Sequence, residues 1–113
     1  MVDLKKQRKA GIPMEKQRLF KMSALERDIL AKALDDTQKE YHPKQAEQMR
    51  ALMDKTIQAP KRKLYLNDDE FQWAVFALNS VRNTYLSAGR SSGGFDRILL
   101  KLLNSKYKYM PTR

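Results

Sequence analysis

The chain contains no cysteine, which excludes disulfides, thiolate metal sites and thiol nucleophiles together. Its one histidine, His42, stands before a proline in a turn, a setting for a solvated side chain rather than a catalyst or a zinc ligand. No apolar run approaches the roughly 20 residues a membrane-spanning helix needs. The first residues, MVDLKKQRKAGIP, carry cations but no apolar stretch behind them, so no secretory signal is expected, and the expected setting is the cytoplasm. Glycine and proline number four each, too few for a loop-rich fold. These absences leave a helical reading, with no enzyme chemistry, metal or cofactor expected.

The excess of positive charge is unevenly placed. Residues 1–21 hold seven Lys/Arg against two acids, Lys61, Arg62 and Lys63 follow one another, and Lys106, Lys108 and Arg113 end the chain. The stretches between them, 22–60 and 64–105, are close to neutral. The cations therefore belong to the ends and one linker.

The neutral stretches echo each other. At an offset of 44, Met22 faces Leu66, Ser23 faces Asn67, Glu26 faces Glu70, Leu34 faces Leu78 and Tyr41 faces Tyr85. Past the turn the offset becomes 46, and Met49 faces Phe95, Leu52 faces Ile98, Lys55 faces Lys101 and Ile57 faces Leu103. Each copy starts with a capping box, Ser23-Ala24-Leu25-Glu26 or Asn67-Asp68-Asp69-Glu70, in which side chain and backbone satisfy the free amides of a first helical turn. Apolar residues then recur at helical spacing, a turn follows, and a second helix returns. Pro43 suits the first turn of one returning helix, and Gly89 suits the left-handed stop before the other.

The expected fold is all-α: two tandem helical hairpins, an internal repeat, packed as a small four-helix bundle because each hairpin alone leaves an apolar side bare. The expected organisation is a basic N-terminal arm at 1–21, flexible or short-helical, a first hairpin at 22–60, a basic linker at 61–65, a second hairpin at 66–105 and a basic tail at 106–113. Within the arm, Met14, Leu19 and Phe20 suit a short amphipathic helix running from Ile12 to Phe20. The returning helices are expected to bury Met49, Leu52, Met53 and Ile57, and Phe95, Ile98, Leu99, Leu102 and Leu103.

Two binding readings follow. The first is a small non-enzymatic nucleic-acid-binding or accessory protein that contacts the phosphate backbone of DNA or RNA through Lys5, Lys6, Arg8, Lys9, Lys16, Arg18, Lys61, Arg62, Lys63, Lys106 and Lys108. In the tail, Lys106-Tyr107-Lys108-Tyr109 interleaves charge with rings that can stack on bases. No helix starts with the Arg, Asn and Gln that read base edges, so backbone contact is expected. The second reading is a protein-interaction adaptor or inhibitor, because Phe71, Trp73 and Phe76 stand where the first copy has Arg27, Ile29 and Lys32. Arg90-Ser91-Ser92-Gly93-Gly94 has the residues of an anion-binding turn but neither the spacing of a phosphate loop nor a strand before it.

Overall fold

A computed structural model describes residues 16–109 of the chain. In chain order the elements are strand β1 (Lys16–Lys21), helix α1 (Ala24–Gln38), helix α2 (Pro43–Gln58), a 3-10 turn (Pro60–Arg62), strand β2 (Lys63–Leu66), helix α3 (Asp68–Ser87), helix α4 (Gly93–Leu103) and strand β3 (Lys106–Tyr109). Among the described residues the protein is mostly helical, with four helices as expected, but it is not all-α. The three described strands form one antiparallel sheet in the order β2-β1-β3.

The sheet corrects the reading of the arm and the linker. Residues 16–21, placed in a flexible or helical arm, form the central strand, and the expected helix from Ile12 to Phe20 is replaced by strand wherever it falls within the described residues. Leu19 and Phe20 are adjacent, so they point to opposite faces of the sheet, while the two edges of β1 are bonded to β2 and β3. The rest of the basic arm, residues 1–15, lies outside the described residues.

Both helix starts form as the capping boxes require. Ser23 Oγ accepts from Glu26 N at 3.0 Å while Glu26 Oε1 accepts from Ser23 N at 2.8 Å. Asn67 and Glu70 repeat the arrangement at 2.8 and 2.9 Å. Helix α1 packs on α2 and on α3, and α3 packs on α4 and beneath β1 and β2. This central position accounts for the apolar breadth of α3. The core joins Leu30 and Leu34 of α1, Met49 and Leu52 of α2, Ala77 and Leu78 of α3, Leu102 of α4, and Phe20, Leu64 and Leu66 from the sheet.

The returning helices bury Met49, Leu52, Ile98, Leu99 and Leu102 as expected, but Ile57 and Leu103 are 52% and 53% exposed, and in α2 it is Thr56 that is fully buried. Met49, Leu52 and Thr56 share a face at spacings of three and four, and Thr56 removes the polarity penalty by donating its hydroxyl to Leu52 O at 2.8 Å.

Two ion pairs cross between the halves at matching positions. Lys55 of α2 reaches Glu70 of α3 at 2.9 Å, and Lys101 of α4 reaches Glu26 of α1 at 2.7 Å. The acids are those of the two capping boxes, so each box is also clamped by a lysine from the other half.

Candidate nucleic-acid interface

Side chains alternate across a strand, so the cross-strand register sorts the sheet into two faces. Arg18 is opposite Leu66 and Tyr107, and Phe20 is opposite Leu64. Phe20, Leu64 and Leu66 are buried in the core, so this is the face turned to the helices. The other face carries Gln17, Leu19 and Lys21 of β1, Lys63 and Tyr65 of β2, and Lys106 and Lys108 of β3.

Read across the strands, the outer face has three rows. Lys63 is opposite Lys21, Tyr65 is opposite Leu19, which is opposite Lys106 on its far side, and Gln17 is opposite Lys108. Directly opposed residues in such a ladder lie about 4.5–5.5 Å apart at their Cα atoms. Lys21 and Lys63 are therefore like charges held face to face, an arrangement that destabilises a sheet. Lys21, Lys63, Lys106 and Lys108 are exposed, and none has an ion-pair or hydrogen-bond partner for its side chain among the described residues. No acid occurs in any of the three strands. Gln17, at the end of the central strand, is buried with Oε1 unpartnered.

The other candidate cations are placed differently. Lys5, Lys6, Arg8 and Lys9 lie outside the described residues. Lys16 begins β1 opposite Tyr109. Arg18 faces the helices: its guanidinium is sandwiched 4.0 Å from the Phe71 ring centre and 4.8 Å from that of Tyr107, and Nη1 donates to Ser105 O at 3.1 Å. Lys61 and Arg62 both have left-handed backbone, φ 55° and 57°, and turn the chain from α2 into β2. Arg62 extends the β1–β2 ladder, taking a bond from Met22 N on its carbonyl at 3.0 Å and donating Nε to Met22 O at 3.2 Å. Lys63, Lys106 and Lys108 are thus the sequence candidates that meet on one face. Lys21, one of the seven cations of the basic arm, joins them there, as do Leu19 and Tyr65, which charge alone does not single out. Their signal was the alternation of period two.

The aromatic candidates divide. Helical residues advance about 100° each, so Phe71 lies far around α3 from Trp73, while Trp73 and Phe76 are close. Phe71 sits under Arg18. Trp73 donates Nε1 to Gln48 Oε1 at 2.8 Å, and Phe76 meets Trp73 and Tyr41 edge-on at 6.1 and 5.3 Å. Gln48, Asp69 and Gln72 complete a shallow groove of about 370 Å³ with Trp73 and Phe76.

The Arg90–Gly94 turn is committed to the chain itself. Arg90 stacks on Tyr85 at 4.3 Å, Ser91 Oγ accepts from Gly93 N at 3.3 Å, and Ser92 donates its hydroxyl to Asp96 Oδ2 at 2.9 Å. Asp96 also pairs with Arg82, which, with the Ser92 bond, holds its carboxyl below the usual range. An internal carboxylate therefore stands where an anion would bind at the start of α4. Among the described residues no cluster of acids or His is placed to hold a metal ion, and no described helix is long and apolar enough to cross a membrane. Comparison of the chain with family models, with characterised proteins and with solved structures returned no match.

Proposed function

We propose that this protein binds the phosphate backbone of nucleic acid, with the outer face of the sheet as the contact surface and the basic arm and linker as its extensions. The observation that carries the reading is the set of four exposed lysines, without ion-pair partners among the described residues, on a sheet face whose strands hold no acid. Cations opposed without acids repel each other, and a line of phosphates relieves that repulsion while releasing its own counterions. In this reading the protein acts by binding, in the cytoplasm, and is a duplicated unit whose two helical hairpins are tandem copies. The crossed Lys55–Glu70 and Lys101–Glu26 pairs support the duplication.

The test is a salt titration of labelled DNA and RNA binding by fluorescence anisotropy. Four neutralised phosphates give a slope of log affinity against log salt of about −2.8 for single strands and −3.6 for duplex. The Lys21→Gln/Lys63→Gln variant makes the slope shallower by about 1.4 to 1.8, whatever the arm adds. Absence of binding to either nucleic acid at about 50 mM salt, or affinity independent of salt, refutes the reading.

A second reading, a protein-interaction adaptor, is favoured by one observation: Phe76 and Tyr41 remain 39% and 38% exposed beside the Trp73 groove. On that reading Phe76→Ala abolishes capture of a protein partner that survives nuclease treatment, and leaves nucleic-acid affinity unchanged.

A further inference from the structure

Tyr65 is the unspent aromatic of the sheet. Of the tyrosine side chains described, Tyr41 meets Phe76, Tyr85 meets Phe95 and lies under Arg90, and Tyr107 lies under Arg18 and donates its hydroxyl to Asp68 at 3.2 Å. Among the described residues Tyr65 has no ring partner, no cation over it and no hydrogen bond on its hydroxyl. It is half-buried on the outer face, opposite Leu19, with Lys63 two residues along its own strand and Lys21 across from Lys63.

We infer that the ligand of this face is a single strand of nucleic acid, and that Tyr65 is the surface on which one of its bases stacks. The inference rests on the nucleic-acid reading above and goes beyond it by choosing the form of the polymer. A duplex presents phosphates but hides the faces of its bases in the stack, so a sheet-borne ring gains little from it. The planar side chains that pair bidentately with a base edge in a duplex groove are Arg, Asn and Gln, and the one such residue on the face, Gln17, is buried. What remains on the face is lysine around a phenol and a leucine, the combination that holds single strands with little sequence preference.

The spacing agrees. Lys106 and Lys108 are two residues apart on one strand, about 6.8 Å, and β2 and β3 flank β1 at about 4.8 Å each, so cations lie within about 10 Å of Tyr65 across the sheet. One phosphate on either side of a stacked base falls within reach of a lysine side chain.

The experiment compares the full chain and its Tyr65→Leu and Tyr65→Phe variants on labelled single-stranded DNA and RNA of about 12 nucleotides, on the matching duplex, and on an abasic strand with the same phosphates. The expected result is that Tyr65→Leu weakens single-strand binding about 5- to 150-fold, the range for a lost base–aromatic stack, with the salt slope unchanged. Tyr65→Phe stays within about twofold, because the ring and not the hydroxyl stacks. The abasic strand binds the wild-type chain as weakly as the intact strand binds Tyr65→Leu, a comparison that stands even where a variant folds poorly. DNA and RNA arms separate the two sources of single strand, and a Tyr65 dependence in either supports the inference. Duplex binding as tight as single-strand binding and insensitive to Tyr65→Leu overturns it while leaving the nucleic-acid reading intact. No binding in any arm at low salt overturns both.

Discussion

Replacing Arg18 by lysine separates a brace from a ligand contact. The substitution keeps the charge and removes the planar fork that lies between Phe71 and Tyr107. Each ring face contributes about 0.5–1 kcal/mol at a partly exposed site, and the charged bond to Ser105 O contributes about 1.5–3 kcal/mol, part of which an ammonium can retain. Against this, Nε of Arg18 is buried without a partner, a cost that lysine does not carry. The balance is a loss of about 1.5 kcal/mol, or a fall in Tm of roughly 5–10 °C. Urea unfolding followed by the fluorescence of Trp73, the protein's one tryptophan, measures it. The effect concentrates in the docking of β3, because Tyr107 and Ser105 are the partners lost. Affinity for nucleic acid, measured where both proteins are folded, stays within about twofold, since the lysines of the outer face are untouched. Unchanged stability with affinity reduced tenfold or more (about 1.4 kcal/mol) refutes the reasoning and returns Arg18 to the binding surface.

Two further outcomes test the frame that carries the sheet. For Glu26, burial raises the carboxyl's pKa, but bonds from Lys101 and Ser23 outweigh it and hold the group below its ordinary value of 4.5. A depressed folded-state value means that its contribution is present above about pH 4.5 and disappears as pH falls through the lower folded value, so the stability gap between wild type and Glu26→Gln, read by urea unfolding, closes on acidification. At the left-handed Lys61, glycine removes a backbone cost of about 1–2 kcal/mol against an entropic cost of about 0.5–1, so Lys61→Gly is neutral or slightly stabilising. Lys61→Val is destabilising by at least about 1 kcal/mol, and equal thermal midpoints for the two variants refute the turn geometry.

The helices were legible because their signals are local. A capping box declares itself within four residues, and Ser23–Glu26 and Asn67–Glu70 form as written. The strands were not, because each is short and its partner lies far along the chain, 44 residues for Phe20 and Leu64 and 87 for Leu19 and Lys106. KLYL offers apolar residues on both sides of its pleat, which suits strand and helix alike. KYKY alternates with a period of two and reads as a strand by that measure, yet its charge and its place near the chain's end made it a tail. The same blindness applied to the site. Charge counting found Lys63, Lys106 and Lys108, but only register shows that Lys21 and Tyr65 stand beside them and that Arg18 faces the other way. Ile57 was chosen over Thr56 for hydrophobicity alone, and the position on the helix decided otherwise.

The register also explains why charge gathers where it does. Phe20 is paired with Leu64, 44 residues on, and this is the offset at which the two neutral stretches of sequence echo. At that offset Leu19 opposite Tyr65 corresponds to Lys63 opposite Lys21, and Arg18 opposite Leu66 to Arg62 bonded to Met22. Each half places a strand before two helices, and the basic linker between the helical pairs holds the strand of the second half. Segments that are separate along the chain, ending an arm, joining two halves and opening a tail, become neighbours about 4.8 Å apart once paired. A sheet built from the segments that flank and join the helical pairs brings those segments together. When those segments hold lysine and no acid, folding itself assembles a cationic face from charges that were dispersed in the unfolded chain, against their mutual repulsion. The core contributed by Phe20, Leu64 and Leu66 offsets that repulsion from the inner side of the same strands, which leaves the outer side free to be positive.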